Sequence, residues 1–148
     1  MRKPNEYKTP FYDVSLKRRR ARIPEAEPME IEDVGFGSLP IFRKRFPVIT
    51  LCGSTKFEKE FREIEEKLAL KGWLVISVSV FSLRDKIHDP HEPEFIELKN
   101  RLDQIHKQKI NMSNAIFVIN KDGYIGESTR SEIEYASFHH KKIFYLEE

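Results

Sequence analysis

Apolar and polar positions along residues 47–148 switch between two periods, and this pattern predicts alternating strands and helices. Short apolar runs predict four strands, at 48–52, 73–81, 115–120 and 142–146. Apolar residues at helical spacing predict three helices, at 56–71, 95–112 and about 129–140. Gly72 follows the first helix, where glycine suits the C-terminal cap. We therefore expect a three-layer α/β sandwich on a parallel sheet of four or five strands. A fifth strand, in 81–95 or nearer the N-terminus, stays open.

Residues 1–46 differ from the rest of the chain. They hold five of the eight prolines and sustain neither a helix period nor a strand period. Such a segment buries too little apolar area to order itself. We interpret it as a leader, not a second domain, with the domain beginning at Pro47. We expect the leader to be dispensable for the fold, and at most an arm that packs on a neighbouring subunit.

Charge is distributed unevenly between these two parts. Residues 1–46 contain 11 Lys and Arg against 7 Asp and Glu, whereas residues 47–148 contain 15 against 17. The run from Lys17 to Arg22 suits either a nucleic-acid patch or a solvated arm. The body has no basic surplus, so we expect no nucleic-acid partner.

The single cysteine, Cys52, excludes an intramolecular disulfide and favours a reducing cytosol. No apolar run approaches the ~20 residues of a membrane helix, and residues 2–8 are too polar for a secretory signal. We therefore expect a cytoplasmic protein without a membrane partner. Cys52 itself is expected to be a small buried apolar residue in the first strand.

Two turns with small and hydroxyl-bearing residues follow predicted strands. The first contains Cys52, Gly53, Ser54 and Thr55; it lacks both the P-loop and the G-x-G-x-x-G spacing. The second runs from Gly123 to Ala136. Glycine permits a close backbone approach, and helix N-termini attract anions. Because the carboxyl ends of parallel strands share one edge, both turns are expected to border one crevice.

The second turn has two interpretations. Thr129 and Glu132 fit a capping box, and Ser128 is an alternative N-cap, so helix capping alone explains the pattern. The functional interpretation is a phosphate-and-sugar site. In this interpretation Glu132 supplies a carboxylate. The ligand is bound by the small and hydroxyl-bearing residues of the first turn together with Tyr124, Gly126, Ser128 and Thr129.

The helix at 95–112 carries a second polar set. Asp103, His106 and Lys107 lie within one turn, and the core side is predicted to hold Leu102, Ile105 and Ile110. The polar set is either a surface ion pair with a solvated histidine, or Asp103 or His106 faces the crevice as a proton donor or sugar ligand.

The loop from His88 to Glu92 has His-x-x-His spacing between His88 and His91. No third ligand follows at a familiar spacing. A mobile loop that covers substrate is the favoured interpretation, and we expect no metal and no cofactor.

Three segments together resemble the nucleoside 2-deoxyribosyltransferase-like superfamily. They are Leu51–Thr55, Asp103-x-x-His106-x-x-Lys109-Ile110, and Phe117–Asn120 running into Gly123–Ala136. The resemblance covers roughly 47–148, and it is nearest to a small bacterial and phage branch beside the 2'-deoxynucleoside 5'-phosphate N-hydrolases.

The resemblance implies a flavodoxin-like sheet, a homodimer or larger oligomer, and cleavage of an N-glycosidic bond with Glu132 as nucleophile. It also implies that Gly53 and Ser54, with Gly126 and Ser128, bind a phosphate. The family's catalytic aspartate aligns with His106, and Asp103 lies one turn earlier. The expected activity is hydrolysis or base transfer on a nucleoside or nucleoside 5'-monophosphate. The alternatives are a non-catalytic nucleotide-binding or sensor protein, and an interaction protein that binds through its leader.

Overall fold

A computed structural model describes residues 18–31, 44–87 and 89–148. Lys17 of the basic run and His88 of the loop lie outside these residues. The strands are β1 (Met29–Glu30), β2 (Lys44–Arg45), β3 (Val48–Gly53), β4 (Leu74–Ile76), β5 (Ala115–Ile119) and β6 (Lys142–Tyr145). The helices are α1 (Glu58–Leu70), α2 (Pro93–Asn111) and α3 (Glu127–Phe138).

Strands β3 to β6 form one parallel sheet in the order β4-β3-β5-β6. Alternate residues of β3 and β5 enter two separate cores. Leu51 and Phe117 pack with α1 on one face, whereas Cys52 and Val118 pack with α2 and α3 on the other. Apolar side chains on both faces are typical of a parallel sheet covered by helices. The fold is therefore a flavodoxin-like three-layer α/β sandwich, as the sequence predicts.

The strand order reverses between β3 and β5, which are neighbours although β4 lies between them in the chain. Their carboxyl ends, at Gly53 and Ile119, pair directly. A Cβ added to Gly53 would lie 2.9 Å from Ile119 Cβ, so this glycine is required for the close approach of the two strands. Ligands bind at such a reversal in open α/β sheets, and the crevice opens here.

The second strand is shorter than the sequence predicts, since β4 ends at Ile76 instead of Phe81. Beyond Ile76 the chain leaves the sheet, and Lys109 holds it from the neighbouring helix. The Lys109 Nζ donates to the Ser77 carbonyl at 2.9 Å and to Ser79 Oγ at 2.7 Å. Among the described residues, no fifth strand joins the sheet from the segment 81–95.

The end of α1 confirms Gly72 as its C-terminal glycine. Its φ is 91°, a left-handed value that suits glycine. The Gly72 N–H donates to the Ala69 carbonyl and the Trp73 N–H donates to the Leu68 carbonyl, which is the Schellman pattern.

The described part of the leader packs on the body of its own chain. Ala21 N–H donates to the Leu146 carbonyl at 2.9 Å, and Trp73 Nε1 donates to the Pro24 carbonyl at 2.9 Å. Ile23 and Ala26 pack against the α1 core. The described part of the leader thus packs on the core of its own chain, and whether the leader is dispensable for the fold stays a prediction. The domain boundary at 46 and 47 stays a prediction.

Candidate functional site

A cavity of about 400 Å³ opens at the carboxyl ends of β3 and β5. The turns that follow both strands, the middle of α2 and the segment after β4 form its walls. All predicted site residues except Cys52 line it: Gly53, Ser54, Thr55, Asp103, His106, Tyr124, Gly126, Ser128, Thr129 and Glu132. Cys52 is fully buried behind the wall, as the sequence predicts. The fold therefore brings both predicted turns and the polar face of α2 to one crevice.

The capping interpretation of the second turn is wrong. Helix α3 begins at Glu127, its N-cap is Gly126, and no side chain caps it. Thr129 and Glu132 consequently lie inside the helix, where their side chains cannot cap its first turn. The helix starts earlier than the Ser-Thr-x-x-Glu pattern predicts because Gly126 already has the extended backbone of an N-cap. This start turns Glu132 towards the sheet and the cavity.

Glu132 is a buried carboxyl without a hydrogen-bond partner on one oxygen. Among the described residues, nothing within hydrogen-bond distance satisfies its Oε2. The ring of His106 lies beside it, with Nε2 3.8 Å from that oxygen. Burial raises the pKa of Glu132 to about 8; the Cys52 thiol opposes this shift, and the charge of Asp103 reinforces it. The carboxyl therefore binds a proton far more readily than an exposed glutamate.

His106 is buried, contrary to the interpretation of a solvated histidine. It lies one turn before Ile110 on the side of α2 that faces the sheet, whereas Ile105, predicted for the core, is 44% exposed. His106 Nε2 lies 3.5 Å from Cys52 Sγ. Burial lowers the pKa of His106 to about 4, and the charge of Lys109 contributes. The imidazole is therefore neutral at physiological pH.

Asp103 lines the cavity one turn before His106. Burial raises its pKa, and the charges of Lys99 and Lys107 oppose that shift. The surface ion-pair interpretation therefore does not describe Asp103, because its carboxyl is partly removed from water on the wall of the crevice.

The two turns present groups that suit an anion. Gly126 and Ser128 stand at the N-terminus of α3, where backbone N–H groups and the helix dipole favour negative charge. On the other side, Ser54 caps a single helical turn and accepts from the Lys56 backbone at 3.4 Å. Tyr124 lies between them at the rim, with Lys56 Nζ 3.1 Å from its ring centroid.

Sequence reasoning missed several lining residues. Lys109 continues the Asp103 and His106 face by one more turn, so its spacing was a usable signal. Burial lowers its pKa while it binds the segment after β4. Val78, Ser79 and Val80 also line the cavity, and they gave no signal because they fell within the predicted strand 73–81.

Comparisons with models of protein families, with curated proteins and with solved structures gave no match to this chain. The family resemblance therefore stays a prediction. Within the described residues no helix has the length and apolar character needed to cross a membrane. One set of side chains, Cys52, His106 and Glu132, has donor atoms that all lie within 4.8 Å of one another.

Proposed function

We propose that this protein cleaves the N-glycosidic bond of a nucleoside or nucleoside 5'-monophosphate, with Glu132 as the nucleophile. One observation carries the proposal: the unpartnered carboxylate oxygen of Glu132 on the wall of the cavity. Burying a carboxyl without partners destabilises a fold, and such groups concentrate at functional sites. The family resemblance independently assigns the same role to the same residue.

The reaction follows from the charge that develops at C1' of the sugar. As the bond between C1' and the base breaks, its electron pair leaves with the base and C1' gains positive charge. An oxygen of ionised Glu132 bonds to C1' and gives a glycosyl–enzyme intermediate. Water or a nitrogen of a second base then attacks C1' and releases Glu132. With a pKa of about 8, about one tenth of Glu132 is ionised at pH 7.

The leaving base needs a proton, and Asp103 suits this role better than His106. His106, with a pKa of about 4, has no ring proton to spare as a cation at physiological pH. The raised pKa of Asp103 moves its carboxyl towards the protonated form that a general acid requires. Asp103 then accepts a proton from the attacking water. His106 serves as a positioning residue, because it packs beside Glu132.

We assign the binding of the sugar's 5' end to the two turns that follow β3 and β5. Ser54, Gly126 and Ser128 offer hydroxyl and backbone donors to the cavity, and Lys99 and Lys109 add positive charge to its walls. These groups favour an anionic 5' substituent such as a phosphate. The homodimer that the resemblance implies stays a prediction.

The test is the release of free base from a panel of nucleosides and 5'-monophosphates, separated by chromatography, in a buffer with a chelator. We expect wild-type protein to release base, and Glu132→Gln to lose turnover by several orders of magnitude. Glu134→Gln is the matched control, since Glu134 lies on the same helix and is exposed. Base release that survives in Glu132→Gln contradicts the assignment. Ligand binding without turnover in the wild type favours the alternative, a nucleotide-binding or sensor protein.

A further inference from the structure

Three different elements bring metal-binding donors together at the wall of the cavity. Cys52 comes from β3, His106 from α2 and Glu132 from α3, and all three side chains are buried. We propose that Cys52 Sγ, His106 Nε2 and a carboxylate oxygen of Glu132 bind one thiophilic divalent metal ion, Zn²⁺ in the first instance. The fourth coordination position faces the cavity.

Two of the three separations between donor atoms are close to those of a tetrahedral centre, and all three lie within 4.8 Å. Bonds of about 2.3 Å to sulfur and about 2.0 Å to nitrogen hold those two ligands about 3.5 Å apart. Cys52 Sγ and His106 Nε2 lie 3.5 Å apart, which is this separation. His106 Nε2 and Glu132 Oε2 lie 3.8 Å apart, and a small rotation of the carboxylate brings its oxygen into coordination distance.

The surroundings of the donors also suit a metal. Glu132 is 8% exposed, and its Oε2 has no hydrogen-bond partner among the described residues, so this oxygen is available to bind a metal ion. A thiolate with an imidazole selects Zn²⁺ or Co²⁺ over Mg²⁺ and Ca²⁺.

Metal binding releases protons from the ligands. The thiol of Cys52, and the carboxyl of Glu132 where it is protonated, lose their protons to solvent as three metal–ligand bonds form. No electron is transferred. The ion enters from the cavity, because both His106 and Glu132 line it whereas Cys52 lies behind them.

A bound metal has a consequence that rests on the proposed function. Once its oxygen coordinates the metal, Glu132 cannot attack C1', so the metal-loaded protein cannot cleave the glycosidic bond. Metal binding itself is independent of that function, and it is measured without substrate.

Co²⁺ is the probe, because a thiolate bound to Co²⁺ gives a near-ultraviolet charge-transfer band. Cys52 is the only cysteine of the chain, so any such band reports this residue. We expect one equivalent of Co²⁺ to produce the band in the full chain. Zn²⁺, delivered from a chromophoric chelator, should displace it.

Cys52→Ala should remove the band, and His106→Ala and Glu132→Gln should each weaken metal affinity by at least tenfold. The control is His91→Ala, in the exposed loop, which should leave the titration unchanged. Circular dichroism checks that each variant is folded. If Cys52→Ala does not fold, the metal affinity of Glu132→Gln decides the test. Absence of the band in the wild type overturns the proposal, as does Zn²⁺ affinity that survives in Glu132→Gln or is lost in His91→Ala. Glycosidase activity is measured in a buffer with a chelator, so its result is independent of the result of the metal titration.

Discussion

Glu132 Oε2 and His106 Nε2 face each other across 3.8 Å, yet the two side chains do not form an ion pair at neutral pH. An ion pair would lower the pKa of the carboxyl and raise that of the imidazole. The opposite holds for both, since burial raises the pKa of Glu132 to about 8 and lowers that of His106 to about 4. Loss of water therefore outweighs their mutual attraction, and this part of the cavity wall is mostly uncharged until a ligand or metal arrives.

The first prediction concerns the stability of Glu132→Gln as a function of pH, in metal-free buffer. Between the ordinary pKa near 4.5 and the folded value of about 8, the folded protein holds a proton that the unfolded chain has lost. The free energy of unfolding of the wild type should therefore fall as pH rises through this window. Glutamine does not ionise, so the free energy of unfolding of the variant should rise relative to that of the wild type by up to about 1.4 kcal/mol per pH unit.

Urea unfolding at several pH values measures this difference. Glu134→Gln, on the exposed side of α3, should follow the wild type throughout. A constant difference between Glu132→Gln and the wild type from pH 5 to pH 8 would mean that Glu132 ionises at its ordinary pKa.

The second prediction concerns the 5' end of the substrate. Ser128→Ala removes a hydroxyl at the N-terminus of α3, and a hydrogen bond to a charged group contributes about 1.5–3 kcal/mol. We expect KM for a 5'-monophosphate to rise by about 10- to 100-fold, with a smaller change for the unphosphorylated nucleoside. Ser131→Ala, on the same helix but outside the cavity lining, is the control. Equal losses for the two substrates would remove the phosphate from this turn.

The third prediction separates two glycines that the sequence treats alike. A Cβ at Gly53 would meet Ile119 Cβ at 2.9 Å and the Ile119 carbonyl oxygen at 3.1 Å, within the sheet. Gly53→Ala should therefore destabilise the protein by about 1–3 kcal/mol. At Gly126 the nearest atom is the Tyr124 hydroxyl at 3.4 Å, so Gly126→Ala should fold normally and chiefly weaken ligand binding. Thermal unfolding of both variants measures the contrast, and similar melting temperatures would contradict it.

Much of the fold could be predicted because local patterns and tertiary packing agree there. The strands β3 and β5 are continuous apolar runs, and their burial on both faces is what such runs favour. The second strand was predicted too long, because the binding of Lys109 to Ser77 and Ser79 depends on how α2 packs. Sequence spacing does not contain that contact.

The candidate site was predicted in its residues but not in its geometry. The sequence placed Glu132, His106 and Asp103 at one crevice through spacing and resemblance, and all three line the cavity. It did not predict that Cys52 lies 3.5 Å from His106, because that contact joins β3 to α2, and the two residues are 54 positions apart in the chain. The metal-binding set was missed for the same reason, since its three donors come from three elements.

The last prediction concerns the leader, whose described part lies on the body of the chain. The backbones of Arg20 and Glu147 form an isolated antiparallel bridge just after β6. Ile23 packs against the α1 core, and the Trp73 indole donates to the Pro24 carbonyl. A chain that begins at Pro47 loses all three contacts and exposes the indole. We expect it to fold with a lower melting temperature, whereas the sequence alone predicts only that the shortened chain folds and still binds ligand. Ile23→Ala should reproduce part of the loss, about 1–2 kcal/mol for a half-buried side chain, and Arg22→Ala, at an exposed neighbour, should not. If the truncated chain and Ile23→Ala both melt with the wild type, these contacts contribute nothing to stability and the leader is dispensable for the fold.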